Sequence, residues 1–432
     1  MRGKEELIRL KNELKRSRLF KDSFWAVLGN GSGNALLLLA GIVVARLLGK
    51  DLYGEYGMVK TTMFYVASFA TFGLSFTSTK FIATSIRDNF SHVRSIVHDA
   101  LLITFFFSGF VALALFVFAP QISDYLEANL VMPFRTLALI IVFRAVSTTQ
   151  IGILAGMKNF KILARNNFVV GVILLFMSIP LTYFMGLKGA LVALFLSQLF
   201  NVLLNGISIR KVLSDIKIHS KIDYKKKILL FSLPVALQES SFSFSHWLAI
   251  MLLTKLSSLG ELGLYTASAQ WSTVVLLIPA LLGNVVLSYL SGSVGDKKVH
   301  DATMKKMVVA NLICTFLPFL FVCFFANFIA SFYGDSFEGM VAVLRVLTIS
   351  TIFEACSTVF RSELMAQGRP WILFAIRFIR DMLLVVLVYS LLIRGDGENG
   401  ALLYSQAVVI VSIFFFFLSL TACRWNSRNV KL

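Results

Sequence analysis

The 432-residue chain is too apolar for a soluble protein, since 57% of its residues are hydrophobic and only 15% are charged. The apolar runs lack the strict alternation of membrane β-strands, so composition predicts an all-α membrane protein and excludes a β-barrel. A net charge of +18 could indicate nucleic-acid binding in a soluble chain. Here the basic residues lie between apolar runs and have a topological explanation, so no nucleic-acid partner is expected.

The N-terminal segment, residues 1–22, is basic and has leucines at helical spacing at Leu7, Leu10 and Leu14. Two interpretations remain open: a helix that lies on an anionic membrane surface, or a solvated tail that only sets orientation. No cleavable signal is evident, because this segment leads directly into a run too long for a signal-peptide core.

Successive apolar runs follow, each long enough to cross a hydrocarbon layer of ~30 Å as a helix. About twelve spans are predicted, with boundaries uncertain by several residues. They lie near residues 24–48, 58–84, 95–118, 132–156, 163–185, 189–209, 229–253, 264–290, 306–328, 341–365, 371–393 and 400–423.

Lysine and arginine are concentrated in alternate segments between these spans. One set holds the N-terminal tail, the segments near residues 87–94, 158–165, 210–227 and 297–306, Arg369 and the C-terminal tail; the other holds only Lys50, Lys188, Lys255 and Arg394. Because cytoplasmic segments carry the excess of basic residues, both termini are predicted to be cytoplasmic. The predicted outside loops are short, which leaves little room for an external active site.

An internal repeat divides the chain near its middle. A shift of 206 residues places Gly54-Glu55-Tyr56-Gly57 on Gly260-Glu261-Leu262-Gly263, and a shift of 210 aligns residues 135–154 with 345–364. We therefore predict a cytoplasmic segment over 1–22, a first lobe over 23–209, a basic linker over 210–228, a second lobe over 229–423 and a tail over 424–432. Lobes with an even number of spans share one orientation, so their axis should lie along the membrane normal.

Residues 45–57 read A-R-L-L-G-K-D-L-Y-G-E-Y-G. This phrase closely resembles the first-span signature of the polysaccharide-exporter branch of the multidrug/oligosaccharidyl-lipid/polysaccharide transporters, which includes the Wzx-type O-antigen flippases. The resemblance implies two pseudo-symmetric lobes of about six helices each around a central cleft. It also implies a bacterial or archaeal cytoplasmic (inner) membrane.

Charged side chains inside the spans are the candidate functional residues, because each costs about 2.5–3.5 kcal/mol at a helix centre and usually faces a cavity or a partner. Cations outnumber carboxylates, so we predict an electropositive cleft. The predicted cationic set is Arg46, Lys60, Lys80, Arg144, Arg345, Arg377 and Arg380, with Asn30, Asn34, His246 and Glu354 as polar lining. For those near span ends, snorkelling to water is the alternative explanation.

Two pairs of oppositely charged residues are candidates for interaction inside the spans. Arg144 and Glu354 occupy equivalent repeat positions near mid-span, and we expect them either to face each other across the axis or to line the cleft separately. Arg377 and Asp381 are four residues apart and can neutralise each other. Alternatively, Asp381 and Glu239 form a site for H⁺ or Na⁺, whose gradient drives the cycle. No metal site, cofactor motif or catalytic arrangement is predicted.

A cationic cleft that opens sideways to lipid suits a ligand with a phosphorylated head, a polar sugar and an apolar tail. The sequence thus predicts a transporter rather than an enzyme: a flippase for undecaprenyl-diphosphate-linked oligosaccharide units of O-antigen, capsule or exopolysaccharide. Its expected partners are that lipid-linked oligosaccharide, membrane lipid, and polysaccharide polymerase and chain-length regulator proteins. Two alternatives remain: a drug/cation antiporter of the same superfamily, and a membrane polymerase or ligase.

Overall fold

A computed structural model describes the backbone of most of the chain. The described residues are 18–88, 92–126, 130–214, 224–280, 286, 290, 297–367, 369–395 and 397–429, and among them the side chains of 18–30, 87, 88, 234, 297, 370 and 426–429 are excluded. Most of the predicted amphipathic segment and the centre of the predicted linker therefore lie outside the described residues, as does the side chain of Asn30.

The first lobe consists of long helices joined by short turns. They are α1 Arg18–Ala70, α2 Leu74–Asp88, α3 Val93–Tyr125, α4 Val131–Gly156 and α5 Phe160–Ser214. Two of these helices, α1 and α5, each consist of two helical segments joined at a kink. The kinks lie at Gly49 in α1 (φ 73°, ψ 170°) and Gly186 in α5 (φ 58°, ψ −136°), whose backbones are not helical. These positive φ angles are accessible to glycine at little cost, so each glycine ends one pass and starts the next.

The described part of the second lobe is also helical. It contains α6 Lys225–Leu256, α7 Leu259–Val275, α8 Lys297–Phe324, the short α9 Ala326–Ser331, α10 Met340–Ala366, α11 Pro370–Arg394 and α12 Gly400–Asn429, with a 3₁₀ turn at Asp335–Phe337. In the described part of the chain, six helices (α3, α4, α5, most of α8, α10 and most of α12) are long and apolar enough to cross a membrane. The all-helical, two-lobed membrane architecture is confirmed.

The predicted boundaries differ at two places in α1 and α2. Residues 49–57 lie between the first two predicted spans and are expected from the sequence to form a turn. Only Gly49 is non-helical, however, and residues 50–57 belong to α1. The second span, predicted as continuous over 58–84, breaks after Ala70, and Phe72 and Gly73 have positive φ. Threonine hydroxyls help to satisfy this break, since Thr71 donates to the Ser68 carbonyl at 2.7 Å and Thr77 to the Gly73 carbonyl at 3.1 Å.

We call the helix ends beside residues 88–93, 156–160, 214–225 and 366–370 the basic end of the bundle, and the other the opposite end. From the opposite end towards mid-membrane, one buried apolar core runs through both lobes and includes Tyr53, Tyr56, Leu262 and Phe337. At the basic end the cores are separate: one spans 74–213 with Ile228, and the other spans 360–423. The lobes thus share one core at the opposite end, whereas at the basic end their described cores are separate except at the start of α6, where Ile228 packs in the first-lobe core.

The repeated glycine motifs form the junction at the opposite end. A Cβ at Gly54 would overlap the carbonyl oxygen of Leu259, and one at Gly263 would overlap that of Lys50. Backbones that approach this closely leave no room for any side chain. The two copies of the repeat therefore pack against each other, and their glycines are needed for contact rather than for a turn.

A single methyl group at Gly54 should weaken the junction. We expect Gly54→Ala to destabilise the protein by about 1–3 kcal/mol, as overpacking of a close contact does. The readout is the midpoint of thermal unfolding of the detergent-purified protein. Gly109→Ala is the control, since a Cβ there meets nothing within 4 Å. Equal midpoints for the two variants would contradict a tight glycine contact.

Candidate functional site

The lobes face each other along the second half of α1, α2 and α6. The Trp247 indole donates to the Thr62 hydroxyl at 3.2 Å, and the Tyr65 and His246 rings are 5.7 Å apart. Further towards the basic end, the Ser232 hydroxyl donates to that of Thr77 at 2.8 Å. Polar and aromatic side chains of both lobes therefore line the path along which the two cores separate.

A cluster of arginines lies on the second-lobe side of this path. The guanidinium carbons of Arg377 and Arg380 on α11 are 5.7 and 5.6 Å from the centre of the Phe242 ring on α6. Arg361 on α10 lies within electrostatic range of both. Phe242 in turn packs on His246, with 4.2 Å between ring centres. We call Arg361, Arg377 and Arg380 the arginine cluster.

Three carboxylates accompany the arginine cluster. Asp381 accepts a hydrogen bond from the Nε of Arg380 at 2.8 Å, although the two are sequence neighbours, because the long arginine side chain folds back. Glu239 lies within electrostatic range of Arg361 and Arg377, and Glu354 of Arg361. With every group ionised, the three arginines and the three carboxylates carry no net charge together, so the cluster with its carboxylates is not electropositive.

Two arginines of the cluster have unsatisfied donors. The Nε groups of Arg361 and Arg377 are buried and have no hydrogen-bond partner among the residues that the structure describes. A buried unpaired donor costs about 1–3 kcal/mol, and more for a charged group. These N–H groups are therefore ready to bind an acceptor such as a phosphate oxygen.

The structure brings some predicted site residues together and separates others. Arg377, Arg380, Asp381, Glu239, Glu354 and His246 share the region of the arginine cluster. Arg46 and Arg345 are exposed near the opposite end, and Lys80 is exposed near the basic end over the Phe231 ring at 3.7 Å. Lys60 is half-buried over Tyr56, and Asn34 is half-buried on α1. The roles of these residues stay predictions.

Neither predicted pair forms a direct ion pair among the described residues, although Arg377 and Asp381 lie within electrostatic range of each other. The alternative in which Arg144 and Glu354 line the cleft separately stays a prediction. Arg144 is half-buried on α4, and no ion pair joins it to Glu354. Asp381 is bonded to Arg380 rather than to Arg377, whose guanidinium lies against Phe242. Arg361, Tyr65 and Phe242 are not in the set of cleft residues predicted from the sequence. The i, i+4 spacing of Phe242 and His246 was the available signal for an aromatic face on α6.

Comparison with known proteins establishes the family. Residues 19–292, well over half of the chain, match the family described as "Polysaccharide biosynthesis protein". The chain belongs to this family. The resemblance read from residues 45–57 is thereby confirmed, and the family is one of transporters.

Family members similar to this chain include a Shigella flexneri protein named "Putative O-antigen transporter", 20% identical over 94% of this chain and 98% of its own. The "EPS I polysaccharide export inner membrane protein EpsE" of Ralstonia nicotianae is 23% identical over 44% of each chain.

The fold is that of solved transporters of the multidrug/oligosaccharidyl-lipid/polysaccharide (MOP) superfamily. An inward-facing MATE-family multidrug resistance transporter superposes with a TM-score of 0.76 at 14% identity, covering 94% of this chain and 99% of that one. A MOP superfamily transporter from Pyrococcus furiosus gives 0.63 at 15% identity, covering 93% and 94%.

The pairing of the buried charges can be tested by two double-mutant cycles. We expect Arg380→Gln with Asp381→Asn to show a coupling energy of about 0.5–3 kcal/mol, because the two are in contact. Arg144→Gln with Glu354→Gln should show less than about 0.5 kcal/mol, because they are not. Both are measured as free energies of unfolding in mixed micelles. Strong coupling between Arg144 and Glu354 would refute the described arrangement.

Proposed function

We propose that this chain is a flippase that moves undecaprenyl-diphosphate-linked oligosaccharide units across the cytoplasmic membrane. The observation that carries the proposal is the pair of buried Nε donors of Arg361 and Arg377, on the second-lobe side of the path between the lobes, which have no acceptor among the described residues. Arginine is the side chain best suited to phosphoryl oxygens, because its planar fork donates two parallel hydrogen bonds. The names of the relatives, which refer to O-antigen transport and polysaccharide export, point to a sugar-bearing cargo.

The proposed cycle is alternating access by rocking of the lobes. One core joins both lobes at the opposite end, whereas at the basic end only the start of α6 packs on the first lobe; this arrangement favours a state whose cleft opens at the basic end. With both termini cytoplasmic, as the charge pattern predicts, this is the state that accepts cargo from inside. Opening at the other side requires the glycine junction at Gly54 and Gly263 to separate, and no covalent bond changes.

Coupling to H⁺ or Na⁺ is part of the proposal, but no residue is assigned to it. Asp381 already accepts two hydrogen bonds from Arg380 through its Oδ1, so in this state it is poorly suited to hold Na⁺. Glu239 and Glu354 lie near arginines. A polysaccharide polymerase and a chain-length regulator are the proposed partners that use the exported units.

The test uses a strain that lacks this protein. We expect lipid-linked repeat units to accumulate on the inner leaflet, and expression of the wild-type chain to restore surface polysaccharide. Units that reach the outer leaflet but stay unpolymerised would indicate a polymerase or ligase. Unchanged polysaccharide with altered drug tolerance would indicate the antiporter.

The arginine cluster is tested in the same strain. Arg361→Gln with Arg377→Gln removes two charged donors, each worth about 1.5–3 kcal/mol to a bound anion, so surface polysaccharide should fall at least about tenfold. Arg394→Gln is the control, because that residue is exposed at the opposite end of α11. Full complementation by the double variant, at equal protein level, would count against phosphate recognition by the cluster.

A further inference from the structure

A lateral cavity of about 440 Å³ lies between the lobes, where α3 of the first lobe faces α6 of the second. Its wall is made of the second half of α1, α3 and α6: Tyr65, Val66, Phe69, Val111, Ala114, Leu115, Phe118, Ile122, Ser240, Ser243, Phe244 and Trp247. A second cavity of about 330 Å³ shares Phe118, Ile122 and Trp247 with it and continues to Tyr125 and Met251 near the opposite end. We call the two together the lateral groove.

The lateral groove opens towards the lipid. Phe118 is 56% exposed and Phe244 is 59% exposed, and they come from helices of different lobes. The surface between them is almost entirely apolar, which suits hydrocarbon. The groove is thus a gap in the lobe interface that the surrounding bilayer can enter.

The inner wall of the lateral groove touches the polar path between the lobes. Tyr65 lines the groove, and its ring centre is 6.2 Å from that of Phe242. The guanidinium groups of Arg377 and Arg380 lie against the same Phe242 ring. Ser243, also in the wall, is buried and its hydroxyl has no hydrogen-bond partner. One aromatic layer therefore separates an apolar groove from the arginine cluster.

An apolar groove beside the arginine cluster favours an amphipathic anion as the ligand. A molecule with a phosphorylated head at the arginine cluster and a long hydrocarbon chain in the lateral groove satisfies both surfaces at once. Ordinary acyl chains match the groove but give no reason for unpartnered arginine donors beside it. A water-soluble anion matches the arginines but leaves the groove unused.

We propose that the lateral groove between α3 and α6 holds the polyprenyl chain of the lipid diphosphate while its head group lies at the arginine cluster. The inference rests on the proposed function and adds to it the side of the molecule on which the lipid enters. Since the groove runs from mid-membrane to the opposite end, the chain can stay in hydrocarbon while the head group crosses between the lobes.

Two adjacent residues of α3 provide a matched test. Ala114 lines the groove, whereas Leu113 is 62% exposed and does not line it. The full chain in nanodiscs is titrated with radiolabelled undecaprenyl diphosphate and with isopentenyl diphosphate, which has the same head and a single isoprene unit. We expect Ala114→Trp to weaken binding of the long-chain lipid at least about tenfold, a change of about 1.4 kcal/mol, and to leave the short one unchanged. Leu113→Trp should change neither.

The outcomes separate the groove from the proposed function. Equal affinities of Ala114→Trp and wild type for the long-chain lipid overturn the groove alone, as does an equal loss of both ligands. If the wild-type chain binds neither diphosphate, both the groove proposal and the proposed function are overturned.

A second measurement does not depend on the folding of a tryptophan variant. A photoactivatable benzophenone amino acid replaces Phe118 in the groove or, as control, Phe106, which is 68% exposed on α3 outside the groove. In nanodiscs that contain phospholipid and undecaprenyl diphosphate, we expect position 118 to be enriched severalfold in polyprenyl adducts relative to position 106. Equal adduct ratios at the two positions would mean that bulk lipid fills the groove, and would overturn the proposal.

Discussion

Buried guanidinium groups in a membrane protein must bind something, because the hydrocarbon region offers no water to replace a missing partner. In this chain Arg380 donates to Asp381, while the Nε donors of Arg361 and Arg377 have no acceptor in the described part of the protein. Cation–π contacts with the Phe242 ring stabilise part of the positive charge of Arg377 and Arg380. The remaining hydrogen-bonding capacity is what makes an anionic cargo the best explanation for the cluster.

In the proposed cycle the lobes separate and rejoin, and the glycine junction is the contact that opens. Gly54 and Gly263 bring backbones into contact at the opposite end, where one core joins both lobes. A junction made of backbone contact and small residues depends on van der Waals packing rather than on long interlocking side chains. At the basic end, by contrast, the described cores of the two lobes are separate except where the start of α6 packs on the first lobe.

The sequence predicted the helical membrane class, the duplication and the family, because hydropathy and a thirteen-residue phrase at 45–57 are local signals. It failed where tertiary contact overrides local preference. Glycine is typical of turns, yet the stretch 49–57 is helical from Lys50 onward, and its Gly54 serves close contact with the second lobe instead. The i, i+4 rule allowed an Arg377–Asp381 pair, but Arg380 makes the direct hydrogen bond to Asp381, while Arg377 lies against Phe242 within electrostatic range of that carboxylate. The lateral groove joins residues of α1, α3 and α6 that are far apart in the chain, so no sequence pattern could reveal it.

The most direct measurement of the central claim is transport by the purified chain in proteoliposomes, followed as accessibility of a fluorescent undecaprenyl-diphosphate-linked oligosaccharide to a quencher outside the vesicle. The account predicts that the wild-type chain exposes the labelled lipid of the inner leaflet, and that the double glutamine variant of Arg361 and Arg377 does so much more slowly. The account is contradicted if vesicles with the wild-type chain protect the label as well as empty vesicles do, under either a proton or a sodium gradient.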